Sequence, residues 1–567
     1  PGFDSAMLEF LADRIAQGLR DALDHMRPAR ARWNHSSLWG LTRNRSLHAF
    51  RNNTPELLAS FPKAPEPSLA EAQAAIDPAL DVLQLDELDP AAPGVVRGPL
   101  GTLAWFAMHP TVLPAQTRMF NADAFGVASR EVERELVRAR ASRGAPPADP
   151  LAGIVNTNEG DMSPSWIEGT ADEAMRIGQK LGRAIWAIHA SGSPWRDRLR
   201  IDSRYVEEDL PGAFLRDGSR LCPTAMLGES SSHGASDHHC SFQGMFPGEP
   251  EYDPKGDPCH FPKRKLMGLV QNALVPREGF PTHVPLALVR IDDTWIAHVP
   301  AELTIAAGRL VDEAVLRQVP RVEDGRRSHA IVGGLTNGYI QYVATAREYQ
   351  VQAYEGGSTL YGPNSAAFLA ERFELLASMM RWDLADRDRP RAWAGALPAF
   401  HVHFAPQRDR LARPGNDVPL DRVPGRLAKD NAKVCTVLRD PPTLCMTWHD
   451  GGPGRVGMTR APWIRAARED GAPVRVSAVL PAGTIATAEP GGALDDRGLG
   501  FQTHARDREG CRWLWTTVWR PARDEWREAL QAGKVRLEAA DVISPSFGED
   551  ILAVPCKPEV AAACIAN

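Results

Sequence analysis

Residues 330–363 read AIVGGLTNGYIQYVATAREYQVQAYEGGSTLYGP, and the fold class turns on this stretch together with the helix behind it. Ala330 to Leu335 is a short apolar run that reads as a buried strand, and Asn337-Gly338 ends it with a turn signal. Asn364 to Met380 follows with apolar residues at helical spacing. Upstream the same alternation recurs. Leu103 to Met108 reads as a buried strand. Leu286 to Ile291 and Thr294 to Val299 flank Asp292-Asp293 as a hairpin. Thr170 to Ile188 reads as a helix in which Thr170 caps the first turn, Glu173 closes a capping box and Ile177, Leu181, Ile185 and Ile188 form the buried face. Strands alternating with helices predict a mixed α/β domain over residues 1–404.

Composition changes beyond that point. Residues 405–425 hold Pro406, Pro414, Gly415, Pro419, Pro424 and Gly425 among charges and read as a linker. Short β-type runs follow at Val474 to Leu480, Trp513 to Trp519 and Val535 to Leu537. They predict a smaller all-β, immunoglobulin-like sandwich over residues 426–567. The 567 residues exceed what one core supports, which agrees with two domains. A hydrophobic share of 43% and a net charge of −6 fit a globular chain without a nucleic-acid partner. No apolar run approaches the roughly 18 residues of a membrane span.

The eight cysteines form no C-x-x-C pair, which argues against a cysteine zinc site. Cys435 with Cys445, and Cys556 with Cys564, are close enough to staple short loops, and export to a secreted or periplasmic location follows from that reading. Near the start, Met7, Leu8, Leu11, Ile15, Leu19 and Leu23 share one face of an amphipathic helix, read as a core helix. A chain beginning at Pro1 in the first turn of such a helix is expected to be a trimmed form.

Four places carry chemistry. His109 ends the strand Leu103 to Met108 and is placed to point into a cleft, although spacing alone favours a hydrogen-bonded core histidine. Ser163, in the polar turn Asn158 to Pro164, is outside any G-x-S-x-G elbow, and in isolation reads as a turn serine. Glu302 follows a strand and opens a helix, where a carboxylate serves equally as a metal ligand or as a complement to the helix dipole. Five of the seven tyrosines lie between positions 339 and 361. Buried phenols need hydrogen-bond partners, so this clustering points to a site. The cluster of His233, His238, His239, Cys240, Cys259 and His260 lacks a ligand spacing and reads as a surface loop.

Taken in order, these segments resemble the neutral (non-lysosomal) ceramidase family over roughly residues 1–400. Its G-D-V-S-P-N motif appears as Gly160 to Ser165, its F-A-x-H segment as Phe106 to His109 and its P-G-E-x-T segment as Pro300 to Thr304. Its N-R-S motif appears as Asn44 to Ser46, and its two tyrosine-rich segments as Asn337 to Tyr342 and Tyr354 to Pro363. Met162, Ser165 and Ala301 depart from the family pattern. The resemblance implies Zn²⁺ held by His109, Glu302 and Tyr342, with Ser163, Arg45 and Tyr354 as catalytic groups. It implies hydrolysis of the N-acyl bond of ceramide to sphingosine and fatty acid. The partner is then ceramide or a related N-acyl lipid, another N-acyl amide such as an acylated amine or amino acid is the alternative substrate, and transient contact with a membrane surface is expected. Pro1-Gly2 resembles the tail of the family's H-T-H-[SA]-G-P-G segment, so a further histidine ligand and a proton-shuttling histidine are expected ahead of residue 1. A non-catalytic lipid- or metal-binding relative is the remaining reading.

Overall fold

The computed structural model describes residues 5–92, 94–113, 121–145, 150–189, 193–235, 256–266, 280–319 and 328–380, and beyond these the C-terminal strands and a few residues beside them. The contacts divide the chain into two compact units. One comprises Pro1–Thr111, Glu131–Ile167 and Ile177–Gln407; the other comprises Val112–Arg130, Glu168–Arg176 and Arg408–Asn567. The linker expected at 405–425 lies outside the described residues.

The strands of the first unit are β1 (Ala29–Ser37), β2 (Thr42–Asn44), β3 (Ala79–Leu88), β4 (Val96–Phe106), β5 (Leu151–Asn156), β6 (Met162–Pro164), β7 (Ile201–Asp209), β8 (His283–Ile291), β9 (Thr294–His298), β10 (Glu302–Leu303), β11 (His329–Gly333) and β12 (Tyr342–Val343). One four-stranded sheet has the order β1-β3-β4-β5, and a second has the order β11-β9-β8-β7. In each, an antiparallel set gains one parallel strand: β5 beside β4, and β11 beside β9. The expected hairpin is β8/β9, whose turn holds Asp292 at φ 57°, a conformation that Asp tolerates better than most side chains.

Side-chain alternation fixes the layering. Ile296 of β9 and Ile331 of β11 join Trp33, Leu83 and Trp105 of the first sheet in one apolar cluster, so the two sheets share a core. The opposite faces of the same strands, with Trp295, Ala297, Ala330 and Val332, join Leu286 and Leu288 of β8 in a larger cluster. That cluster includes Val311 and Val315 of the helix Ile305–Gln318 and Phe368 and Phe373 of the helix Ser365–Met379. The second sheet is therefore a middle layer, buried on both faces.

Thr170 and Glu173 form the expected reciprocal cap, and Ile177, Leu181, Ile185 and Ile188 of the helix Ala171–Ile188 are buried. The helix Ser5–Asp24 departs from expectation. Leu11, Ile15, Leu19 and Leu23 are 48–64% exposed, so among the described residues its apolar stripe belongs to no core.

In the second unit, β13 (Arg426–Leu427), β14 (Cys435–Arg439), β15 (Pro442–Asp450), β19 (Phe501–Glu509) and β20 (Arg512–Trp519) form one sheet. β16 (Ile464–Arg468), β21 (Val535–Ala539) and β22 (Val542–Ile543) form another, and β17 (Ser477–Val479) pairs with β18 (Ile485–Thr487). Cysteine pairing also departs from the loop staples expected. Cys435 and Cys445 are register partners on β14 and β15, yet Cys435 bonds Cys556. The reason is local. Backbone hydrogen bonds run from Thr436 to Val554 and from Cys556 to Thr436, which draws Cys556 beside Cys435. Cys564 lies outside the described residues. Cys222 bonds Cys259.

Candidate active site

Two very short strand pairs in the first unit carry the chemistry. β10 lies parallel to β12 with Glu302 opposite Tyr342, so the carboxylate and the phenol share a face. β2 lies antiparallel to β6, with Arg43 opposite Ser163 and Asn44 opposite Met162. The helix following Glu302 begins only at Ile305 and is capped by the Thr304 hydroxyl. Glu302 is therefore a strand residue. Complementing the helix dipole is the work of Thr304 and of Asp161, whose carboxylate accepts from the Ile305 N–H at 2.8 Å.

Close backbone approach explains two glycines. A Cβ on Gly160 would meet the Leu303 carbonyl oxygen at 2.7 Å, and a Cβ on Gly334 would meet the Thr157 oxygen at 2.5 Å. The chain between β11 and β12 holds Leu335, Asn337 and Gln341 at φ of 56°, 63° and 65°. For a bulky leucine this conformation costs about 1–3 kcal/mol, and it shapes the loop that presents Tyr339 and Tyr342.

His109 lies three residues past the end of β4. Its backbone N–H donates to the Met162 carbonyl at 3.0 Å, and its Nδ1 lies 3.0 Å from the same oxygen. A carbonyl only accepts, so Nδ1 carries the proton and Nε2 faces inward. Nε2 is 2.8 Å from Glu302 Oε2 and 3.3 Å from Tyr342 Oη. The other carboxylate oxygen, Oε1, accepts from the Tyr339 hydroxyl at 2.5 Å. A nitrogen lone pair and a carboxylate oxygen so close require a proton or a cation between them.

Burial pushes the Glu302 carboxyl up, but the contact with His109 and the hydroxyls of Tyr339 and Tyr342 outweigh it and hold the group below its ordinary value. Burial pushes the Tyr342 and Tyr354 phenols up, against the opposing charge of Arg45. Arg45 is held by a buried ion pair, Nε to Glu355 Oε1 at 3.0 Å, and by Nη2 donating to the Gly160 carbonyl at 2.7 Å and to Tyr342 Oη at 3.3 Å. Its guanidinium carbon is 5.7 Å from the Tyr342 ring centroid and 5.5 Å from that of Tyr354. The two rings meet edge to face at 5.1 Å.

The structure thus gathers His109, Glu302, Tyr342, Arg45 and Tyr354 into one constellation. Ser163 is fully buried in β6, next in the chain to the Met162 carbonyl that anchors His109. The tyrosine cluster divides by function. Tyr339, Tyr342 and Tyr354 face this constellation, whereas Tyr349 donates to the His260 carbonyl and Tyr361 to the Pro281 carbonyl. His260 is buried and bonds the Thr224 carbonyl, and Cys259 is in a disulfide, so this part of the expected surface loop is structural. His238, His239 and Cys240 lie outside the described residues.

Sequence reasoning missed several supports. Ser46 donates to Glu355 Oε2 at 2.6 Å, and Asn44 bridges the Ser46 N–H and Asp161. Asn44-Arg45-Ser46 is therefore a bracket that aims the arginine. Glu159 is fully buried, and among the described residues no side chain hydrogen-bonds either carboxylate oxygen. Burial, then repulsion from Glu302, pushes it well above its ordinary value. Away from this constellation, His35, Asp81 and His329 form a candidate metal site, their ligand atoms within 4.8 Å of one another. No motif announced it.

The profile described as neutral/alkaline non-lysosomal ceramidase, N-terminal, matches residues 1–180 and 223–371. The neutral ceramidase of Mycobacterium tuberculosis is 28% identical over 431 residues, 70% of this chain and 63% of that protein. The neutral ceramidase of Pseudomonas aeruginosa is 26% identical over 406 residues, covering 67% and 55%. The chain thus spans less than two thirds of the length of these relatives. The crystal structure of the Pseudomonas aeruginosa enzyme superposes with a TM-score of 0.64 at 21% identity, over 96% of this chain and 81% of that one, and shows the same mixed α/β fold. With more than half of its residues matched by the family profile, the chain belongs to the neutral/alkaline non-lysosomal ceramidase family.

Proposed function

We propose that this protein is a zinc-dependent amidase that hydrolyses the N-acyl bond of ceramide to sphingosine and a fatty acid. The observation that carries the reading is the convergence of His109 Nε2, Glu302 Oε2 and Tyr342 Oη, with His109 Nδ1 pinned to a carbonyl. An imidazole whose second nitrogen is fixed by a carbonyl is the usual partner of a metal, and a mixed nitrogen and oxygen donor set suits Zn²⁺. Zinc bound there supplies a Lewis acid for the amide carbonyl and brings the pKa of a bound water to roughly 7.

The chain's own groups do the rest. Tyr339 fixes Glu302 so that only Oε2 faces the centre. Arg45, held by Glu355, and Tyr354 beside it donate to the oxyanion that develops on the amide carbonyl or to the hydroxyls of the substrate. Ser163 positions the attacking water or acts as the nucleophile. The catalytic groups all belong to the first unit, and the C-terminal residues 426–567 are read as an immunoglobulin-like sandwich that supports the fold or substrate access. The two disulfides among the described residues accord with a secreted or periplasmic location, where the substrate is met at a membrane surface. Among the described residues no helix is long and apolar enough to cross a membrane.

The test pairs zinc content with ceramide turnover in Glu302→Gln and Tyr342→Phe. Both are expected to lose the zinc of this centre and turnover together. Zinc content equal to the parent's in both variants would remove the ligand assignment. Turnover of simple N-acyl amides with none of ceramide would move the substrate to another acylated amine.

A further inference from the structure

We propose that His35, Asp81 and His329 bind a divalent transition-metal ion of the zinc type, a second centre that staples the edges of the two sheets of the first unit. β1 and β11 are the edge strands of those sheets. His35 is the direct cross-strand partner of Asp81, so both side chains leave the same face of the β1/β3 pair. Trp33 and Leu83, two residues along each strand on that face, pack against Ile296 and Ile331 of the other sheet. His329 stands two residues before Ile331 on β11 and therefore shares its face. The apolar seam between the sheets thus ends in a polar trio with two residues from one sheet and one from the other.

The geometry is that of converging donors. Asp81 Oδ1 lies 2.7 Å from His35 Nδ1 and 2.9 Å from His329 Nε2, and the imidazole rings stand 4.0 Å apart. Donors around zinc with bonds of about 2.0–2.1 Å lie roughly 3.3 Å from one another, so a few tenths of an ångström of ring movement opens the site. The rings have that freedom, because each histidine side chain is 35% exposed while Asp81 is buried. The route for an ion from solvent runs past the exposed His35, because His329 Nε2 is itself buried.

A second observation points the same way. Thr294 is the register partner of His329 on β9 and so shares its face. It is fully buried, and its Oγ1 has no hydrogen-bond partner among the described residues. An orphaned hydroxyl beside an imidazole cluster is satisfied by an ion or by an ion's water. Two imidazoles and one carboxylate select zinc-type ions over calcium or magnesium, which favour oxygen shells.

The experiment uses the full chain, stripped with chelator, reloaded with zinc alone and desalted before its metal is counted. The parent is expected to retain two equivalents. His35→Gln and His329→Gln, both at half-exposed positions, are each expected to retain one, with the second equivalent bound at least 10-fold more weakly. Glu302→Gln is also expected to retain one, which separates the two centres. One equivalent in the parent that is lost in His35→Gln and kept in Glu302→Gln would uphold this centre and remove zinc from the other. Zinc content unchanged in both His35→Gln and His329→Gln, with gel filtration and circular dichroism like the parent's, would overturn the proposal.

Discussion

The two histidine-containing centres of the first unit are built in opposite ways. Around His109, each donor has its own support: the Met162 carbonyl behind the imidazole, the Tyr339 hydroxyl on Glu302, and Arg45 against Tyr342. Around Asp81 a single carboxylate oxygen faces both imidazoles, and the neighbouring Thr294 hydroxyl has no partner among the described residues. The first arrangement holds its donors in one geometry, as catalysis requires. The second leaves two half-exposed rings free to adjust, as suffices for a structural tie. Preorganisation by surrounding groups, more than the donors themselves, distinguishes the two.

Several changes break or sharpen that contrast. The largest effect is expected for Glu302→Gln, whose ceramide turnover should fall by more than the roughly 10–100-fold typical of outer-shell changes, with the His35 centre still loaded. Arg45→Lys comes next. Lysine cannot span Glu355, the Gly160 carbonyl and Tyr342 as the guanidinium does, so kcat should fall by about 10²–10³ with zinc content kept, as steady-state kinetics would register. Tyr339→Phe removes the hydrogen bond to Glu302 Oε1 and should weaken zinc at the His109 centre by about 10–100-fold in a competition titration, leaving the other centre unchanged.

The smallest effect concerns the framework. Burial, reinforced by Arg32 for His189 and by Lys263 for His260, lowers both histidines to about 4. Each is neutral in the fold but takes a proton near pH 6.5 when unfolded. Their contribution to stability is therefore complete above about 6.5 and is lost as pH falls towards about 4. Thermal melts across that window should show Tm falling with acid, and less steeply in His189→Gln.

The first centre was legible because its parts lie in short local motifs. The tyrosine-dense loop carries such a signal by itself, whereas His109 and Asn44-Arg45-Ser46 stand out only through the family resemblance. The alternation of strands with helices gave the mixed α/β class for the same reason. The second centre was not legible. His35 meets Asp81 only through the register of β1 on β3, and His329 reaches them only because two sheets pack face to face. The Cys435–Cys556 bond was hidden likewise, since it depends on a backbone pairing between segments far apart in the chain. The apolar stripe of Leu11, Ile15, Leu19 and Leu23 read as core, because periodicity reports a face and not what covers it.

The most direct test of the account is ceramide hydrolysis by the metal-free protein as zinc is added back. The account predicts no turnover without zinc, recovery in the parent and in His35→Gln, and no recovery in Tyr342→Phe. Full turnover in the metal-free protein, or equal recovery in Tyr342→Phe, would contradict it.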